Sequence, residues 1–357
     1  MMNALLVVFS SLLMLLILFS AELALRHLYP DYLDQISADD MNYLHRYSET
    51  YGWELQDRFR PGWIGQEIEL NQRGYVGRVY DNERDYSKTR IVMLGDSIAF
   101  GFGVKPEETF SSILDVSEEQ MEVVNLAVQG YGTDQELIRF QEEGLKYEPD
   151  IAILNFCLGN DFMDNAASKS IYGQAYPKPY FILENSELKL CKAHLELSLI
   201  QRISFQLSQK SILFNKVLTL FGIDGRKLSR NLIKVEKRAV PSPELTCQLI
   251  KRMDEIAKEN NICFVVLVYP FKDCFSGDCE LAQALFGSPI LSGVRMINLY
   301  SYFKRYNFNL ETFDRYSFDS TLHLTPLGHR LTASIIREIL FAGEICRSGP
   351  TVVNRSK

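Results

Sequence analysis

The stretch RIVMLGDSIAFGFGV, residues 90–104, decides how this chain folds. Its first half is a short apolar run with β-branched residues and no alternation, the pattern of a strand buried on both faces of a sheet. It stops at Gly95-Asp96-Ser97, a turn sequence, and the glycines beyond it let other backbone approach closely. A serine in that position has its hydroxyl at the carboxyl edge of the strand. By itself Gly-Asp-Ser is also an ordinary turn, so its meaning depends on what accompanies it.

Four further runs have the same character: MEVVNLAV (121–128), DIAILNFCLGND (150–161), NICFVVLVYP (261–270) and VRMINLY (294–300). Helical patterns separate them and carry start signals. Thr133 with Glu136 has capping-box spacing, Ser242-Pro243-Glu244 precedes an apolar face of Leu245, Leu249, Ile250, Met253, Ile256 and Ala257, and Thr325-Pro326 opens the last helix. Strands alternating with helices predict a doubly wound α/β domain on a parallel sheet, with ligands at the carboxyl ends of the strands.

Three segments place chemistry at those ends. NLAVQGYGTDQ after the second run puts Gly130 in a turn before a helix, LGND after the third puts Asn160 at the same edge, and FDSTLHLTPLGH puts His323 just before the last helix. Acyl transfer needs a nucleophile, a base within hydrogen-bond reach and donors aimed at the oxyanion of a tetrahedral intermediate. Ser97 is the candidate nucleophile and His323 the candidate base. The backbone N–H groups of Ser97 and Gly130 and the side-chain amide of Asn160 are the candidate oxyanion hole.

Taken in order, these four blocks resemble the SGNH/GDSL hydrolase family, over roughly residues 90–161 and 242–342. The neck and apolar N-terminus described below look like the membrane-anchored branch found in bacterial envelope polysaccharide systems. The resemblance implies a flavodoxin-like three-layer α/β/α fold, no metal or organic cofactor, and hydrolysis or transfer of an ester acyl group, an acetyl ester above all. It also implies an inner-membrane anchor with the catalytic domain on the outer side. One position departs from the family pattern. The triad acid usually stands three residues before the histidine, and here that residue is Ser320. Asp319, four residues before, is the candidate acid and reaches the imidazole if the loop bulges by one residue; Asp314 is a more distant candidate, and a Ser–His dyad or a backbone carbonyl as the orienter stays open.

Other polar residues have plainer readings. Asp96 and Asp161 read as turn stabilisers, His329 as a packed or solvent-exposed residue of the last helix, and Cys157 as a small core residue. His27, His45 and His194 match no pattern. A nucleotide-binding reading of Gly95, Gly101 and Gly103 fails, because the spacing fits neither G-x-G-x-x-G nor the P-loop. A non-catalytic carbohydrate-binding member of the same fold is the rival to the enzyme reading.

The composition adds the surroundings. The 357 residues carry 38 Lys and Arg against 45 Asp and Glu, a net charge of −7, with 46% hydrophobic residues, which excludes collagen-like and wholly disordered classes. Residues 4–21 hold no charge, and 18 residues make a helix of ~27 Å, close to a bilayer's hydrocarbon thickness. No A-x-A cleavage pattern follows, so an anchor over 1–26 is expected, with a Tyr-rich neck over 27–88 ending in a strand or hairpin around IELNQRGYVGRVY. The hydrolase domain is placed at 89–345 and a tail at 346–357. A helical insertion at 162–240 carries 13 Lys and Arg against 6 Asp and Glu, a net +7 (13 − 6), and is expected to lie over the site as a lid. Its charge suits a polyanionic glycan or anionic lipid headgroups, or merely balances an acidic body. An acidic chain with no stacking motif is a poor nucleic-acid binder. Cys274 and Cys279 are spaced for a small disulfide loop, which favours an oxidising compartment.

Overall fold

The structure is a computed structural model and describes residues 2–30, 45–55, 62–63, 66–67, 70, 75–80, 84–168, 176–192, 203, 207, 211–222, 242–277 and 279–342. The five apolar runs become β1 (Thr89–Gly95), β2 (Met121–Asn125), β3 (Ile151–Cys157), β4 (Cys263–Tyr269) and β5 (Met296–Asn298). They form one sheet in the order β5-β4-β3-β1-β2, with every pairing parallel. That is a doubly wound, flavodoxin-like order. The chain leaves β1 in one direction to β2 and returns past it to β3, so the edge between β1 and β3 is the switch point where such sheets open a crevice.

Helices cover both faces. On one, α3 (Phe110–Ser117) packs against the last helix, α8 (Pro326–Phe341); on the other, α4 (Thr133–Glu142) packs against α7 (Pro243–Glu259). Both faces of β3 are therefore buried along its whole length, which is why its sequence shows no alternation. The starts of α7 and α8 follow the sequence signals: Ser242 Oγ accepts from Leu245 N–H at 3.3 Å and Thr325 Oγ1 from Gly328 N–H at 3.2 Å. The start of α4 differs by one residue. Gly132 is the cap, its N–H bonded to Gln135 Oε1 at 3.4 Å, and Thr133 is the first helical residue with its hydroxyl buried.

Two segments depart from expectation. The neck forms a hairpin of His45–Ser48 against Gly52–Leu55, upstream of the expected one, which falls partly outside the described residues. Tyr51, Trp53, Leu55, Tyr75 and Val76 join the core under the sheet, and Arg139 of α4 is held between the Tyr51 and Tyr75 rings at 4.8 and 4.9 Å. The insertion contains an antiparallel hairpin, Tyr180–Glu184 with Glu187–Cys191, closed by Asn185-Ser186 with φ of 55° and 64°. Such a two-residue turn matches the right-handed twist of the strands, and the hairpin packs on α4 and α7. Most of the basic insertion, including Arg226, Lys227 and Arg230, lies outside the described residues, as do His194 and the tail.

At the N-terminus α1 spans Met2–Leu28, and its Leu6–Leu28 portion, with mean hydropathy 2.4, is long and apolar enough to cross a membrane. Near its end Glu22 caps another helix. Glu22 Oε1 accepts from Ile212 N–H at 3.2 Å, and Oε2 from Leu213 N–H at 3.0 Å and Ser211 Oγ at 2.8 Å, at the start of α6 (Ile212–Leu220).

Candidate active site

Ser97 begins the short helix α2 (Ser97–Phe100), directly after β1. Asp96 caps that helix, its Oδ1 accepting from Ile98 N–H at 2.9 Å, and Asn125 on β2 ties it down through its amide to Ala99 O at 2.7 Å. Gly95 makes the tight exit possible, since a Cβ there would lie 2.7 Å from that of Ala99. The serine is thus fixed from three sides. Its Oγ lies 2.8 Å from His323 Nε2.

His323 sits in a loop closed by the Ser317–Leu324 bridge, with Phe318 N–H bonded to His323 O at 2.7 Å. Its other ring nitrogen, Nδ1, lies 2.5 Å from Asp319 Oδ2. The one-residue excess in spacing is absorbed at Leu322, whose φ is +78°, a left-handed conformation that a non-glycine residue adopts only under constraint. Asp319 Oδ1 gathers the same loop by accepting from Thr321 N–H at 3.0 Å, Thr321 Oγ1 at 2.7 Å and His323 N–H at 3.2 Å. Partial burial pushes the Asp319 carboxyl upward, but the bonds from His323 and Thr321 outweigh it and hold it well below the usual carboxylate range. An ionised Asp319 can only accept, so Nδ1 carries the proton and Nε2 is left to accept from the Ser97 hydroxyl. The Phe102 ring covers the imidazole with centroids 4.6 Å apart. Asp314 stands apart, paired at the surface with Lys272 at 3.2 Å.

The expected oxyanion donors meet at the same edge. The β1–β2 ladder continues past the strands through Leu126 N–H to Met93 O at 2.8 Å and Val128 N–H to Gly95 O at 3.1 Å, which carries the Gly130 turn alongside Ser97. Among the described residues no acceptor stands opposite the N–H of Ser97 or of Gly130. Asn160 behaves differently from expectation, because its amide nitrogen donates to Asp96 Oδ2 at 2.9 Å and to Asp164 Oδ2 at 2.8 Å. Both of its hydrogens face carboxyls, where the sequence expectation has one of them open to an oxyanion.

Those carboxyls belong to a buried acidic group. Asp134 is paired with the buried Lys178, Nζ to Oδ1 at 2.6 Å, while Asp161 Oδ2 accepts from Cys157 N–H at 2.8 Å. Burial pushes Asp96, Asp134, Glu136 and Asp161 upward, and for Glu136 and Asp161 neighbouring carboxylates add to it. Burial likewise pushes Asp164 up to about 8, against the pull of its Asn160 bond and of Lys178. Asp164 is not among the residues the motifs single out, although its place four residues after Asn160, the N-cap position of α5 (Asp161–Asn165), returns it to the same side after one turn.

The remaining polar residues sit as plain structure. His329 is fully buried, Nδ1 accepting from Phe110 N–H at 3.2 Å, and burial alone lowers it to about 3, so it stays neutral. Cys157 is buried on β3, and burial pushes its thiol well up. Among the described residues no group of three or more His, Cys, Asp or Glu is arranged to hold a metal ion. Cys274 and Cys279 are joined as a disulfide.

No family model matches this sequence, and no curated protein matches it. Solved structures do. This chain is similar to a putative lipolytic protein of the G-D-S-L family from Desulfitobacterium hafniense (TM-score 0.40, 15% identity, 71% of this chain and 99% of that one). It is similar to a member of the lipolytic G-D-S-L family from Veillonella parvula (0.41, 13%, 71% and 98%) and to an acetyl xylan esterase (0.40, 11%, 70% and 99%).

Proposed function

We propose that this chain is a serine esterase, or an O-acyl transferase sharing its intermediate, built as an SGNH/GDSL hydrolase and acting through Ser97, His323 and Asp319. The observation that carries the reading is the unbroken relay Ser97 Oγ to His323 Nε2 at 2.8 Å and His323 Nδ1 to Asp319 Oδ2 at 2.5 Å. Ser97 Oγ attacks the ester carbonyl as Nε2 takes its proton. The negative charge that develops on the carbonyl oxygen is met by the N–H groups of Ser97 and Gly130 and by one Asn160 hydrogen withdrawn from the acidic pair. Collapse returns the proton from Nε2 to the departing alkoxide and leaves Ser97 acylated. Water or a sugar hydroxyl then attacks, giving its proton to Nε2, and the second collapse restores Ser97 and releases the acid or the new ester.

The proposed substrate is an acylated envelope carbohydrate, with acetyl as the acyl group, and the proposed setting is the outer face of a bacterial inner membrane anchored through residues 4–21. The apolar α1 supports the anchor, and the Cys274–Cys279 disulfide supports an oxidising compartment. The +7 charge of residues 162–240 supports a polyanionic substrate.

Fluorophosphonate labelling tests the reading, because it requires an activated serine and no particular substrate. The expected result is an adduct on Ser97 that disappears in His323→Ala. A folded protein that gives no adduct overturns it in favour of a non-catalytic carbohydrate-binding role.

A further inference from the structure

Gly130 donates from a peptide unit whose other end is held by a residue far upstream. The turn Val128–Tyr131 is closed by Tyr131 N–H to Val128 O at 3.2 Å, with Gly130 third in the turn at φ +72°, the type II arrangement. In such turns the central peptide, here Gln129 C=O with Gly130 N–H, can rotate as a unit to the type I orientation, which reverses its N–H. A trans peptide is planar with oxygen and hydrogen on opposite sides, so whatever holds the oxygen aims the hydrogen. Trp53 holds it: its indole N–H donates to Gln129 O at 3.0 Å.

We infer that Trp53 is the positioning residue of the oxyanion hole, fixing the Gln129–Gly130 peptide so that the Gly130 N–H faces the site. The indole suits the task because it is a donor only and is fully buried, so neither a reversed bond nor water competes. Donation into the carbonyl also polarises the peptide and makes its N–H a stronger donor. Trp53 is itself fixed by the element it holds. Tyr131 Oη donates to Trp53 O at 2.5 Å, the two rings meet edge to face at 5.6 Å, and Gln135 Nε2 donates to Tyr51 O at 2.7 Å. The neck hairpin is thereby a part of the site, and the membrane-proximal segment sets the geometry of a donor 77 residues later in the chain (130 − 53).

The inference rests on the ester-hydrolase reading, and its test separates the two. In the full-length protein in detergent, Trp53 is replaced by Phe and, separately, by benzothienylalanine, which keeps the indole shape and lacks the N–H. With p-nitrophenyl acetate, kcat should fall about tenfold in both, and KM should stay within about twofold, as for an interaction made only in the transition state. The benzothienyl variant should melt close to wild type, which excludes general unfolding as the cause. Gln135→Leu, which breaks the Tyr51 link and the Gly132 N–H bond that caps α4 but leaves the Trp53 bond in place, should lower the melting temperature and leave kcat of the folded protein unchanged. A benzothienyl variant with wild-type kcat overturns the role of Trp53 while the hydrolase reading stands. Wild-type protein that neither hydrolyses the ester nor takes a fluorophosphonate overturns both.

Discussion

Asp319 Oδ2 and His323 Nδ1 stand 2.5 Å apart across a four-residue spacing, and the left-handed backbone of Leu322 is what allows it. The loop is held in that form by three bonds to the other Asp319 oxygen, so the carboxylate both shapes the turn and orients the ring it serves.

From this relationship, Asp319→Asn should lower kcat by about 10³–10⁴ by leaving the imidazole in the wrong tautomer. Adding Ser320→Asp to that variant should not restore activity, because the turn presents position 319, not 320, to Nδ1. Asp314→Asn should behave as wild type, since it breaks only a surface pair with Lys272. Steady-state kinetics on p-nitrophenyl acetate decides all three, and rescue by Ser320→Asp would refute the assignment.

In the proposed mechanism Asn160 releases one hydrogen from the pair Asp96 and Asp164. Asn160→Ala should therefore lower kcat by about 10²–10³ with little change in KM. Because Asp164 ionises only near pH 8, its neutral form holds the amide weakly at neutral pH and its anion holds it tightly above that. The wild-type kcat profile should accordingly fall on the alkaline side through about 8, and Asp164→Asn should lose that limb. An alkaline limb unchanged in the variant would refute the link.

Stability should respond to pH from both directions. Between the ordinary carboxyl range near ~4 and about 8, the unfolded chain has lost the Asp164 proton and the folded chain has kept it, so raising pH favours unfolding. His329 works oppositely. Its folded value of about 3 lies below the free imidazole's ~6.5, so lowering pH through that interval protonates only the unfolded chain and again favours unfolding. The two slopes oppose each other at mildly acidic pH, and above ~6.5 only the carboxyl slope remains. Urea midpoints should fall from about pH 6.5 to 8.5, and less so in Asp164→Asn, with Glu136 and Asp161, which are also pushed well up, keeping the remainder. Equal wild-type midpoints across that range would contradict this account.

Glu22 joins α1 to α6 by capping its first turn. Glu22→Ala should weaken that cap by ~1 kcal/mol. Hydrogen exchange should show it as faster exchange at Ile212 and Leu213, with Ser97 labelling unaffected. Unchanged protection would mean that the cap does not hold α6.

The strands, the caps of α7 and α8 and the four blocks at strand ends were legible in the sequence because each depends on near neighbours. A buried run, Ser242 before Pro243 and Thr325 before Pro326 declare themselves within a few residues. The Asn185-Ser186 turn was equally local, and the expectation of a helical insertion passed over it. Tertiary structure alone decided which acid reaches His323, because that depends on one positive φ at Leu322 under the packing around it. It also decided that Asn160 is bonded between two carboxyls and that Trp53 holds the Gln129 carbonyl. The Asn160–Asp96 and Trp53–Gln129 contacts join residues 64 and 76 positions apart, and no local propensity encodes them: the closed fold brings a donor to an acceptor away from bulk water, where each must be satisfied by the other.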